Sequence, residues 1–191
     1  MTDATTSLAL IDLQRDLVCN DDGGGLQAWA VAAVEQSVAC AAWARSAGIE
    51  VFWIRVVREP GDLPLSARSA PPSRPRLIAG TPGAQLAPQL HAVPGDRQIT
   101  KRRVSAFCGT SLATDLRALG TTRLLLGGVF TYMGVEATAR AAYDLDIEPA
   151  TLADCCAAPS RSLHEHALER VLPLLGHVDT WSAFAAEYSH Q

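Results

Sequence analysis

No stretch of this sequence reaches the roughly eighteen uninterrupted apolar residues of a membrane-spanning helix, and the N-terminal MTDATTS lacks a basic region and an apolar signal core. A cytoplasmic protein without a membrane partner is therefore the expectation. Charge is scarce as well. Charged residues make up 19% of the chain and the net charge is −4, which leaves no electrostatic basis for binding nucleic acid. The five cysteines include no CxxC pair, and one is left over under any full pairing. Cys155 and Cys156 are neighbours, a spacing that strains a bridge, so buried reduced thiols are expected. His164 and His166 lie two apart on a predicted helix and so point to nearly opposite sides, which offers a metal nothing. DDGGG, residues 21–25, precedes a helix without the G-x-G-x-x-G spacing or the lysine of a phosphate-cradling loop. No internal repeat or low-complexity segment is present.

What the chain does contain fits one globular domain spanning residues 1–191, with 48% hydrophobic residues and enough length to bury a core. SLALI (7–11) reads as a buried strand. Residues 26–47 form an alanine-rich helix closed by Gly48, and IEVFWIRVV (49–57) a second strand. Residues 58–96 hold most of the chain's prolines and little periodicity, as in a substrate-binding excursion or lid, with a disordered linker as the alternative. A short third strand over 98–101 follows, then a helix over 111–119 capped by Gly120. Residues 147–153 form a fifth strand, with Pro149 placed near its start or at an edge. Ser162 and Glu165 have capping-box spacing for a helix to about Leu174, and 177–180 with a helix from Trp181 complete the chain. Strands alternating with helices predict a three-layer α/β/α architecture, with a mostly parallel, six-stranded, Rossmann-like sheet and helices on both faces.

The organising stretch is RLLLGGVFTYMGVEATARAA, residues 123–142. Leu124, Leu125 and Leu126 suit a fully buried strand, which Gly127 and Gly128 are expected to break. A helical pattern starts at Gly134, with Val135, Thr138, Ala139 and Ala142 on one face. Such a strand-to-helix turn brings backbone N–H groups to the carboxyl edge of the sheet, where open α/β sheets bind ligands. A plain crossover without chemistry has the same spacing. Asp12 directly follows SLALI, so it sits at a strand's carboxyl end, where an acid is partly desolvated; capping a turn is its other use. Asp16, one helical turn on, reads as a surface residue. Lys101 ends the third strand, although three basic residues in a row also suit a solvated surface.

These segments together resemble the cysteine-hydrolase superfamily of isochorismatases, nicotinamidases and N-carbamoylsarcosine amidohydrolases. GVFTYMG matches G-V-x-T-x-x-C except that Gly134 stands where most members have the nucleophilic cysteine; isochorismatases also carry glycine there. IDLQRDL matches D-x-Q through Asp12 and Gln14. ITKRRVSAFCGT matches K-x-R-x-S-A-F-x-G-T through Lys101, Arg103, Ser105, Ala106, Phe107, Gly109 and Thr110, and leaves Cys108 at an apolar position. GTPGAQL (80–86) and DIEP (146–149) extend the match. Glu59-Pro60-Gly61 stands at the isochorismatases' Q-P-G, and Arg68 at the spacing of their substrate-binding arginine.

The resemblance implies Asp12 and Lys101 as catalytic residues, with Gln14, Glu59, Arg68, Arg103, Phe130, Tyr132 and Gly134 at the substrate. It implies a homo-oligomer acting on a small-molecule carboxylate without metal or organic cofactor. Isochorismatases usually have tyrosine in place of Val104 and of Phe130, and histidine in place of Tyr132, so two hydroxyls are absent. Glu59, ionised in the pocket, would repel a dicarboxylate. The reaction expected is hydrolysis of an enol (vinyl) ether. A non-catalytic binding protein on the same fold and an amidohydrolase working without the usual thiol are the alternatives.

Overall fold

The computed structural model describes residues 5–20, 25–62 and 76–188. Strands β1 (Thr6–Ile11), β2 (Glu50–Val56), β3 (Arg97–Lys101), β4 (Arg123–Val129), β5 (Glu148–Ala157) and β6 (Val178–Asp179) form one sheet. Its order is β3-β2-β1-β4-β5-β6, and every neighbouring pair is parallel. Among the described residues six α-helices accompany it: α1 (Arg15–Val18), α2 (Val31–Ser46), α3 (Leu112–Ala118), α4 (Glu136–Tyr143), α5 (Arg161–His166) and α6 (Trp181–Tyr188).

Strand alternation divides the core in two. Leu8, Leu10, Val51, Trp53 and Leu125 pack with α2 and with Phe184 of α6 on one face. Ala9, Ile11, Phe52, Ile54, Leu124 and Leu126 pack with Leu112 and Leu116 of α3 and Ala139 and Ala142 of α4 on the other. β1 is buried along its whole length, as a central strand covered on both faces must be. Each fully buried Leu or Ile in it contributes about 1.5–3 kcal/mol relative to an exposed one. The three-layer α/β/α fold anticipated from the sequence is the fold observed.

Several local expectations are corrected. β4 does not break at its glycines but runs through them. A Cβ on Gly127 would lie 2.8 Å from the Cβ of Cys155, and one on Gly128, at φ +137°, would lie 2.1 Å from the Ile11 carbonyl oxygen. The two glycines thus let β1 and β5 close against β4, and the β4–β5 register shifts between Leu126 and Gly128.

Helix α2 starts at Val31, not at Leu26, because the preceding backbone is paired elsewhere: Leu26 bridges Cys19, and the Gln27 N–H donates to the Val18 carbonyl at 2.7 Å. The Gln27 side chain adds to that attachment. Its amide nitrogen donates to the carbonyls of Leu17 and Cys19, and its side-chain oxygen accepts from Trp29 Nε1 at 2.7 Å. The capping box at Ser162 does not form: α5 begins at Arg161, and Glu165 pairs back to Arg161 Nε at 2.7 Å. Pro149 is the second residue of β5, near its start as expected.

The second half of the proline-rich excursion is built structure. Residues 82–84 and 88–90 form single 3₁₀ turns, each opened by a proline, and Leu90 is buried in the core. Asp16 is not a free surface residue, since its Oδ2 accepts the Leu77 N–H at 2.6 Å. At the far end of this segment, Asp96 accepts Arg45 Nε and Nη2 at 2.9 and 2.7 Å, Trp53 Nε1 at 2.7 Å and the Val93 N–H at 3.0 Å.

Candidate active site

The chain moves outward from β1 to β2 and β3 on one side, and from β4 to β5 and β6 on the other. The carboxyl ends of β1 and β4 therefore lie at the topological switch point, where parallel sheets open a crevice. Asp12 leaves β1 there and Phe130 leaves β4. Both adopt left-handed backbone, at φ 61° and 57°, a strained conformation for side-chain-bearing residues. The Asp12 N–H is held by the Ile54 carbonyl at 2.8 Å.

Asp12 is 7% exposed and Lys101, the last residue of β3, 2%. Lys101 Nζ lies 2.9 Å from Asp12 Oδ2 and donates to the Val104 carbonyl at 2.6 Å. Asp12 Oδ1 is enclosed and accepts no hydrogen bond among the described residues. Burial pushes the Asp12 carboxyl above its ordinary value of 3.8, while Lys101 and, more weakly, Arg58 pull it back. The outcome is an acid that holds its proton more strongly than a free aspartate.

Phe130 leads into a wide helical turn, Thr131–Val135, that continues into α4. Gly134 sits in this turn, buried against the acid. A Cβ built on it would be 2.9 Å from Asp12 Oδ2, 3.3 Å from Ile11 Cγ2 and 3.4 Å from Lys101 Nζ. Asp12, Lys101 and Gly134, supplied by three different strand ends, thus share one locus. Thr138 fastens the turn, donating to the Gly134 carbonyl at 2.7 Å and accepting the Ala106 N–H at 3.0 Å. The SAFCGT segment closes on itself: Ser105 Oγ accepts the Phe107 N–H, Thr110 Oγ1 donates to the Ala106 carbonyl, and Gly109 takes φ +70°.

The remaining sequence-selected residues divide. Phe130 precedes the turn and Tyr132 lies within it, both half-buried, with ring centroids 6.5 Å apart and Trp29 5.9 Å from Phe130. Gln14 is not presented to a ligand. Its side chain is fully buried, with Nε2 donating to the carbonyls of Val56 and Ala84 and Oε1 accepting the Val56 N–H. Arg103 is exposed and donates to the Arg102 carbonyl, away from the Asp12–Lys101 pair. Glu59 is exposed on a turn closed by the Asp62 N–H, and Arg68 lies outside the described residues. Val104 contributes its carbonyl to Lys101 and leaves its side chain 44% exposed.

Two partners of the turn were not selected from the sequence. Thr131, fully buried, meets His164 Nδ1 of α5 through Oγ1 at 2.8 Å. Thr138 read only as an apolar-face position; a hydroxyl on a buried helix face must find acceptors, and that was its available signal. His164 carried no comparable signal, because nothing in the chain's order places α5 against the turn.

No thiol lies in this group. Cys108 is exposed rather than apolar-packed, and the other four cysteines are buried. Bonding with Cys40, together with burial, holds the Cys155 thiol far above its usual range, and burial pushes Cys156 up to about 12. Among the described residues no three His, Cys, Asp or Glu side chains gather into a metal-binding group.

The sequence and the fold have counterparts among known proteins. An isochorismatase domain model matches residues 6–183. The chain is 31% identical over 183 residues to the uncharacterised isochorismatase family protein YecD of Escherichia coli O157:H7, spanning 91% of each. It is 30% identical over 206 residues to the ureidoacrylate amidohydrolase RutB of Methylorubrum extorquens, covering 97% of this chain and 83% of that one. Among solved structures, an isochorismatase family protein from Burkholderia thailandensis superposes with a TM-score of 0.79 at 29% identity, covering 97% of this chain and 96% of the other. Matched along nearly its whole length, the chain belongs to the isochorismatase family, on the hydrolase fold of the cysteine-hydrolase superfamily.

Proposed function

We propose that this protein hydrolyses the enol ether of a small carboxylate such as isochorismate or 2-amino-2-deoxyisochorismate, releasing pyruvate. The observation that carries the reading is the buried Asp12, its pKa raised by burial, set against Gly134, where most of the superfamily has a cysteine. Protonation at carbon requires an acid and no nucleophilic side chain. Asp12 gives its proton to the terminal methylene carbon, whose new C–H bond takes the electron pair of the double bond. The resulting oxocarbenium ion is attacked by water, which returns a proton to Asp12. The hemiketal then loses its C–O bond, its hydroxyl proton passing to the departing oxygen, and yields pyruvate and an alcohol.

Lys101 orients the Asp12 carboxylate, stabilises it once the proton has left, and helps bind the substrate's carboxylate. Backbone N–H groups near Gly134 are the donors for substrate oxygens. A second reading, an amidohydrolase that dispenses with the thiol, is favoured by the similarity to a ureidoacrylate amidohydrolase.

Gly134→Cys separates the two. For an enol-ether hydrolase the new Cβ, 2.9 Å from Asp12 Oδ2, displaces the acid and cuts pyruvate release from isochorismate without creating useful amidase activity. Ammonia release from small primary amides by Gly134→Cys, with no pyruvate release by the wild type, would establish the second reading instead.

A further inference from the structure

We infer that Arg58 is the residue that receives a carboxylate group of the substrate, an inference that rests on the enol-ether reading above. β2 lies beside β3 with Val56 opposite Lys101, and the Val57 N–H donates to the Lys101 carbonyl at 3.0 Å. The next residue, Arg58, is pinned in extended form. Its N–H donates to the Leu77 carbonyl and its own carbonyl accepts the Ala79 N–H, each at 2.8 Å.

Alternation along this strand fixes the side on which Arg58 falls. Ile54 packs with Ile11 and Ile99 on one face, and Ile99 is two residues before Lys101. Arg55 turns to the other face, where its Nη1 donates to Gln85 Oε1 at 3.0 Å. Continuing the series Ile54, Val56, Arg58 puts Arg58 on the side of Lys101 and Gly134. The same alternation sends Glu59 away, and it is exposed. The negative charge that would oppose a carboxylate is thereby removed from the pocket side.

Arg58 is half-buried, yet among the described residues its side chain has no hydrogen bond or ion pair, whereas Arg45, Arg97 and Arg123 each hold a carboxylate. Lys101, by contrast, already serves Asp12 and the Val104 carbonyl. The charge of Arg58 nonetheless reaches Asp12, pulling its carboxyl in the same direction as Lys101 does. A planar fork of donors with no acceptor among the described residues, on the acid's side of the adjacent strand end, matches a carboxylate in two parallel hydrogen bonds. The substrate class this selects is an acid, with the corresponding amide or ester discriminated against.

The experiment compares wild type, R58Q and R58K in two assays, after thermal melts confirm that all are folded. In pyruvate release from isochorismate, R58Q raises KM roughly 10–100-fold, the worth of hydrogen bonds to a charged group, with kcat within about threefold; R58K lies between. An unchanged KM in R58Q, with the wild type active, would overturn the assignment and leave the enol-ether reading standing. Should the wild type release no pyruvate, that reading fails by itself, and calorimetric titration with chorismate decides on Arg58. Weaker chorismate binding by R58Q than by wild type upholds the anion site; equal binding, or none by either, removes it.

Discussion

Asp12 and Lys101 form a buried pair in which burial and the lysine's charge act on the Asp12 proton in opposite directions. Burial raises the Asp12 pKa and Lys101 lowers it. If Asp12 is the general acid, as proposed, it works while protonated, so kcat/KM should fall as pH rises through the Asp12 value. Lys101→Gln removes the lowering influence, so the Asp12 pKa rises and the alkaline limb of the profile moves to higher pH. Its height falls too if, as proposed, the lysine also orients the acid. The position of the limb is the diagnostic reading, and a pH–rate profile of the variant gives it. A limb that stays in place, or moves to lower pH, would mean that another group controls the rate. Gln14 illustrates what a residue's type conceals: its partners Val56 and Ala84 are 42 and 70 residues away. Sequence spacing therefore cannot show that the amide is already occupied by backbone.

At the level of elements, strand β4 and the turn beyond it were legible where the signal was local and illegible where it depended on neighbours. The leucine run marked a buried strand, and glycines after α2 and α3 marked their ends, with Gly48 and Gly120 at φ 71° and 68°. Gly127 and Gly128 carry the same letter for a different reason, close contact with strands that come from far along the chain. Gly128→Ala places a Cβ 2.1 Å from the Ile11 carbonyl oxygen at a backbone φ of +137°. Its cost should exceed about 3 kcal/mol, combining backbone strain with the separation of β1 from β4. Urea denaturation measures it; a variant of wild-type stability would show that the two strands part easily. The capping-box spacing at Ser162 misled because Arg161, four residues before Glu165, competes for the same carboxylate.

Across the whole molecule, alternating strands and helices were sufficient to predict the layers, and the family motifs to bring Asp12, Lys101 and Gly134 to one edge. The described part of the proline-rich segment, residues 76–96, was not legible, because its order derives from single long-range bonds rather than periodicity. Asp96 is its main anchor, joining the segment's end to α2 through Arg45 and to β2 through Trp53. Burial alone would raise the Asp96 pKa, but the bonds from Arg45, Val93 and Trp53 hold it below 3.8. Its stabilisation is thus complete above the unfolded-state value and lost as pH falls through the lower folded value. Asp96→Asn should cost about 2–3 kcal/mol at neutral pH, less than a fully buried pair because Arg45 is partly exposed. Urea midpoints of wild type and variant should converge as pH is lowered past the folded-state value; a gap independent of pH would assign the loss to packing.

The central claim is that Asp12 protonates carbon and that water enters at the pyruvate-forming carbon. The direct measurement is turnover of isochorismate in D₂O and, separately, in H₂¹⁸O, with mass spectrometry of both products at early times in wild type and Asp12→Asn. Protonation at carbon by Asp12 gives one deuterium in the pyruvate methyl group, no ¹⁸O in the alcohol, and a fall in turnover of roughly 10²–10⁴-fold in Asp12→Asn with substrate binding retained. An alcohol carrying ¹⁸O, or an Asp12→Asn enzyme as fast as the wild type, would contradict it.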